Sequence, residues 1–254
     1  GSALYAFTGA VCVEQVPGRV PRITMGQSMA ALKANSPLVV LCVSSVLFVT
    51  DTSATGAAQF YYLRDVLGRV DLFPVMAAAQ VVITLALAVL IPRPVARWGK
   101  RAVYSGGASL GVLGGVLVFV APTGAPLVGV AGLILGFLAS ASASIVTWAL
   151  IADTVEYGEW KTGVRVQGIN YALLAATRKL GMGFGAGLVA FSLAWGGYAS
   201  GLQEQTGQAT LAIRAAAGLL PGALVLASVG IMHWYRLTDQ KHAELVATLS
   251  RDAT

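Results

Sequence analysis

Six stretches of this chain run for roughly 20 residues or more with little or no charge, the length a helix needs to cross the hydrocarbon core of a bilayer. They cover about 37–63, 72–91, 102–120, 127–152, 169–193 and 211–234. In lipid every backbone N–H and C=O must find its partner inside its own segment, so such runs fold as helices. Only 11% of the 254 residues are charged, less than half the roughly 25% of a soluble domain. The pattern predicts an all-α transmembrane bundle with the lipid bilayer as its solvent, spanning 37–238.

The connections follow from local chemistry. Pro37 suits a helix start, where its missing N–H costs nothing. Gly68-Arg69-Val70-Asp71 predicts a tight turn, Pro92–Arg101 a short basic loop, and Ala121–Pro126 a break. The fifth run closes on Trp195-Gly196-Gly197-Tyr198, and a polar loop at 199–208 leads to the sixth. Residues 3–12 read as the end of a preceding helix, and 13–36 as a central connector with an amphipathic piece at 25–34. Residues 239–254 read as a charged tail. With no initiator Met and no basic segment before the first apolar residues, the front of the chain reads as truncated rather than as a signal peptide.

Charge sets the orientation. Lys and Arg total 17 against 11 acids. In the connector, the Pro92–Arg101 loop, the Trp160–Arg165 loop and the tail there are twelve Lys and Arg, against Arg64, Arg69 and Arg214 on the other side. The positive-inside rule then places the connector and the C-terminus in the cytoplasm, as expected of a multi-pass protein of the plasma (inner) membrane. Cys12 and Cys42 have neither metal nor disulfide spacing. No Walker loop, dinucleotide fingerprint, nucleophile elbow or zinc pattern is present, so neither enzyme chemistry, a metal nor a nucleic-acid partner is expected.

The polar residues fall in three places. Asp153, Glu156, Glu159, Lys161 and Arg165 crowd the end of the fourth run. On a helix Asp153, Glu156, Tyr157 and Trp160 share one face. This reads either as a solvated helix end or as an ionic latch, with Asp153 paired to Arg165, Lys161 or a basic group on a partner half. Lys179 lies about ten residues into the fifth run, roughly 15 Å along a helix, too deep for easy snorkelling. A charge there must face a cavity or an acidic partner. Helical spacing carries its face through Ala175 to Tyr171; Arg178 lies on the adjacent face. In the first run Asp51, Thr55, Gln59 and Tyr62 form a polar stripe that serves either a water-filled, sugar-binding cavity, with Asp51 and Gln59 joining Lys179 and Tyr171 at the substrate and cation site, or contacts between helices. Gly181/Gly185 and Gly183/Gly187 are small-xxx-small pairs suited to close helix packing. His233 and Trp234 read as interfacial.

Asp153-Thr-Val-Glu156-Tyr157-Gly158-Glu159-Trp-Lys161-Thr-Gly-Val-Arg165, followed by Gly168-Ile-Asn-Tyr171 and Lys179-Leu-Gly181, resembles the glycoside–pentoside–hexuronide:cation symporter family. The family pattern is Asp-x-x-Asp/Glu-Tyr-Gly-Glu-aromatic-Lys-x-x-x-Arg between its tenth and eleventh helices. Asn35-Ser-Pro37-Leu and Cys12-Val-Glu14 are similar to the entry to its seventh. The resemblance covers essentially the whole chain and implies a major-facilitator-type fold of which this is the C-terminal half, helices seven to twelve. It implies cation-coupled sugar symport by alternating access, with Lys179 at the sugar and cation site and Asp153, Glu156 and Arg165 in cytoplasmic gating. It also implies a coupling Na+ or H+ held mainly by the N-terminal six-helix half. Gln167 stands where members often carry Glu. Arg178 is outside the pattern, and an anionic substrate such as a hexuronide would account for it. The alternatives are an antiporter or exporter of the same superfamily and a six-span scaffold subunit without transport.

Overall fold

The computed structural model describes Gly26 and residues 32–252, apart from Thr123 and Gln203. The expected end of a preceding helix, the amphipathic piece and most of the connector lie outside the described residues.

Long helices fall on each of the six apolar runs. The first, α1, spans Ser36–Tyr61 and continues through a π turn at Tyr62–Val66. It starts where Asn35 caps it, the side-chain Oδ1 accepting from the Leu38 N–H at 3.2 Å. Helix α2 is Leu72–Leu90, with Met76 alone buried. The basic stretch after it is not a loop. Pro92–Trp98 forms a short helix, α3, because Pro92 and Pro94 are tolerated in a first turn that needs no N–H. Gly99, at φ 84°, then redirects the chain into α4, Lys100–Val120.

The fourth apolar run and the charged stretch are one continuous helix, α5, Pro126–Thr162, of 37 residues. At 1.5 Å per residue it is about 55 Å long, well beyond a hydrocarbon core of about 30 Å. Its charged last turns therefore project past the apolar layer, and Gly163 ends it in the left-handed conformation, φ 68°. Helix α6 is Gln167–Trp195. The sixth run is α7, Gly207–Arg214, and α8, Leu220–Met232, joined by a π turn at Ala215–Leu219. Pro221 explains the turn: it offers no N–H to the preceding carbonyls, and the π register absorbs the missing bond. The tail is not merely a charged end. It forms an amphipathic helix, α9, Asp239–Asp252, that lays Leu245 against the body.

Five of the six spanning elements qualify by both length and apolarity. Helix α6 is long enough at 29 residues, but Arg178, Lys179 and its glycines dilute its apolar character.

The interior has two apolar levels. One, at the charged end, gathers Leu38, Tyr104, Leu150, Leu174, Met232 and Tyr235. The other gathers Tyr62, Leu63, Val118, Leu133 and Ile213. Between them backbones meet at glycines. A Cβ on Gly114 would lie 2.6 Å from the Gly132 carbonyl oxygen, and one on Gly115 would lie 2.5 Å from that of Gly218. On α6 the two predicted glycine pairs part company. Gly181 and Gly185 press on α1, where a Cβ on Gly181 would lie 2.7 Å from the Val46 carbonyl oxygen, whereas Gly183 and Gly187 face open space. Two residues of offset turn a helical position by more than half a circle, so only one pair can face α1.

Gly181→Ala should therefore lower the melting temperature of the complete, detergent-solubilised protein, an overpacking loss of about 1–3 kcal/mol. Gly187→Ala, on the same helix, should leave it unchanged or raise it slightly. Equal shifts for both would show that the Gly181 contact does not hold α6 to α1.

Candidate functional site

At the charged end Asp153 is 5% exposed, in the last turns of α5. Lys100, the first residue of α4, places Nζ 2.6 Å from both its carboxylate oxygens. His242 of α9 approaches from the other side, Nε2 3.5 Å from Asp153 Oδ1 and in short contact with Glu156 Oε2. Asp239 closes the ring by accepting the Lys100 backbone N–H at 3.1 Å. Tyr235 lies beneath, its hydroxyl buried and unpartnered among the described residues. Burial, with Asp153 and Asp239 nearby, pushes its phenol far above the ordinary range.

The acid face predicted for Asp153 and Glu156 is present, but Asp153 takes other partners than those predicted. Arg165 pairs with Glu159, Nη1 to Oε2 2.6 Å, and Lys161 lies over the Tyr157 ring at 5.7 Å. Six residues separate Glu159 from Arg165 across the Gly163 turn, so their pairing is local. Asp153 points instead into the bundle, toward Lys100 of α4 and His242 of α9. Asn35 adds a further tie, its Nδ2 donating to the Thr154 carbonyl at 2.7 Å. Lys100 and His242 were not singled out by sequence. The available signal was the helical spacing of His242 between Asp239 and Leu245 in the tail.

The midsection holds two separate polar places. Lys179 is exposed on α6 and makes no ion pair among the described residues. Beside it the Arg178 guanidinium lies 5.6 Å over the Trp148 ring, and Trp148 stacks on Tyr171 at 6.4 Å with 16° between planes. Arg178 Nη1 is buried without a hydrogen-bond partner among the described residues, a state that native interiors avoid. Trp148, half exposed on α5, escaped sequence reasoning because a lone aromatic in an apolar run carries no pattern.

Asp51 and Gln59, expected with Lys179 and Tyr171, are elsewhere: both are buried inside the bundle. Asp51 faces α4, α5 and α8, while the Tyr62 hydroxyl donates to the Val118 carbonyl at 2.8 Å. Helix α6 packs against the other side of α1, with Ser53 Oγ donating to the Met182 carbonyl at 2.9 Å. The interhelical alternative for the stripe thus holds for Tyr62. Toward the charged end of this interior, Ser44, Tyr104 and Ser228 form a closed hydroxyl triangle with edges of 3.0, 2.7 and 2.9 Å.

A family model described as MFS/sugar transport protein matches residues 7–239. The chain belongs to this family. It is 36% identical over 250 residues to a glucuronide carrier protein homolog of Escherichia coli (strain K12), covering 98% of this chain and 54% of the relative. It is 30% identical over 226 residues to a protein of Salmonella typhimurium provisionally named a sulfoquinovose importer, covering 89% of this chain and 47% of the relative. It is 31% identical over 221 residues to an Escherichia coli (strain K12) protein provisionally named a 2,3-dihydroxypropane-1-sulfonate exporter, covering 87% of this chain and 48% of the relative. The chain spans about half the length of these relatives. The all-helical bundle accordingly has the fold of half a major-facilitator protein and belongs to a multi-pass membrane protein.

Lys100 and Asp153 should couple energetically. A double-mutant cycle of Lys100→Met and Asp153→Asn, read from thermal unfolding of the complete protein, should return an interaction energy of about 0.5–3 kcal/mol. Additive effects of the two substitutions would show that the pair contributes nothing of its own.

Proposed function

We propose that the chain is the C-terminal half of a cation-coupled symporter for sugars or sugar acids, working by alternating access with an N-terminal six-helix half. The observation that carries this reading is the exposed Lys179 beside Arg178, Trp148 and Tyr171 at mid-helix. A charge at that depth is tolerated only where it meets a cavity or a partner, and a second half packed on this face would enclose one. Two cationic side chains suit a solute that bears a carboxylate or sulfonate. Glucuronide, sulfoquinovose and dihydroxypropane sulfonate, the solutes in the relatives' names, are all anionic.

In this reading Lys179, Arg178 and Tyr171 bind substrate, and coupling requires sugar and cation to stabilise the same conformation. The two halves rock about a midplane site. Asp153, Glu156, Lys100 and His242 hold α4, α5 and α9 together as one rigid end. Tyr157, Glu159, Lys161 and Arg165, further out, are the groups available to meet the other half when that side closes. The positive-inside rule puts this end and α9 in the cytoplasm of the plasma membrane. Export of a sulfonated solute is the second reading, favoured by the name of one relative.

In the complete protein, Lys179→Ala should abolish gradient-driven uptake of a labelled glucuronide while membrane expression persists. Arg178→Gln should weaken uptake of the glucuronide more than that of a neutral glycoside. Normal accumulation by the Lys179 variant would sink the site assignment, and efflux without uptake in the unaltered protein would favour the exporter.

A further inference from the structure

Asp51 stands apart from every ion pair described above. It sits at the middle of α1, 4% exposed, on the level that separates the two apolar clusters. Among the described residues its carboxyl receives one hydrogen bond, from Thr55 Oγ1 at 3.4 Å. Two small spaces adjoin it. One, of about 20 Å³, is walled chiefly by glycines of α4 and α5, Gly111, Gly114, Gly132 and Gly136 among them. The other, of about 10 Å³, lies toward the charged end and is shared with Tyr104 and Ser228.

Among the described residues the walls hold no counter-charge. Helix α4 contributes Tyr104, the one other titratable group in either lining; α5 contributes small and apolar residues with Ser140; the π turn and α8 contribute Ala217, Pro221, Val225 and Ser228. Arg178 and Lys179 of α6 line neither space. Removing an ionised carboxylate from water costs several kcal/mol, even after relaxation, unless a partner offsets it. A bound metal cation would need about six oxygen ligands, and the side chains here offer those of Asp51 and Thr55 at the larger space. That space suits one water molecule.

We propose that Asp51 is a proton-binding site enclosed within this half of the protein, with the Tyr104–Ser228–Ser44 hydroxyls beside it as its relay. The inference rests on the transport reading above for its use, though not for its existence. On release the carboxyl O–H bond breaks and a neighbouring hydroxyl oxygen, directly or through one water, takes the proton while giving up its own to the next, and the last hydroxyl gives its proton to a solvent water that reaches it when the interior opens. Uptake runs the same relay in reverse, so no other reactant is consumed. On the opposite side the Gly114–Gly132 and Gly115–Gly218 approaches and the Tyr62–Val118 bond close the interior. The charged end is closed by its own apolar level, Leu38, Leu150 and Met232 among it, so the site is occluded in this conformation.

The complete protein in proteoliposomes tests this with two readouts. Infrared spectra at neutral pH should show a protonated-carboxyl band that Asp51→Asn removes. Transport should divide: Asp51→Asn keeps exchange of labelled for unlabelled glucuronide at equal pH but loses accumulation driven by a pH gradient. Tyr104→Phe, which keeps the carboxyl and removes one relay hydroxyl, should keep the band and slow pH-driven accumulation. Absence of the band in the unaltered protein overturns the proposal. So does pH-driven accumulation that survives Asp51→Asn, or accumulation driven by Na+ alone and untouched by that substitution. If the unaltered protein neither exchanges nor accumulates the solute, the transport reading fails, while the infrared band still decides the proton site.

Discussion

Backbone-to-backbone approach at glycines holds this bundle together. Lipid tails are as apolar as Leu or Val side chains, so burying those side chains between helices gains little from the hydrophobic effect. What remains is packing, and packing is tightest where no Cβ intervenes. Gly114 against Gly132, Gly115 against Gly218, and Gly181 with Gly185 against α1 set the spacing of α4, α5, α6 and α8 around α1. The same small residues leave the middle of the bundle underfilled, and the interior carboxyl of Asp51 lies beside that gap.

Charge is then sorted by depth and by direction. At one end Lys100, Asp153, Glu156, Asp239 and His242 satisfy one another among α4, α5 and α9, so this end is internally braced. At mid-depth Lys179 is left free on the exposed face, and Arg178 is held by an aromatic face in place of an acid. Cation–π contact supports a guanidinium but leaves its N–H groups wanting acceptors. The anionic solute proposed above, held between two halves, would supply those acceptors.

Much of the fold was legible in the chain. The apolar runs, Pro37 and the charged punctuation located the long helices, because hydrocarbon permits few other backbone arrangements. Where reading failed, the error was local continuity. Pro92–Trp98 became a helix and the tail became α9, while the charged stretch, read as a helix end, carries α5 on for nearly three more turns. In each case the residues are polar enough for a loop, and only docking against the body makes the helical form pay.

The sequence alone determined the membrane solvent, the helical class, the family motif and which residues carry charge, since these depend on composition and on spacing along one helix. Tertiary structure alone decided which charges meet. Asp153 chose Lys100 and His242 over Arg165, Gly181 packed while Gly183 did not, and Asp51 turned inward away from Lys179. Such choices depend on the rotation of each helix about its axis and on which neighbour faces it. Helical spacing establishes which residues share a face, whereas the partner of that face is settled only when the helices pack.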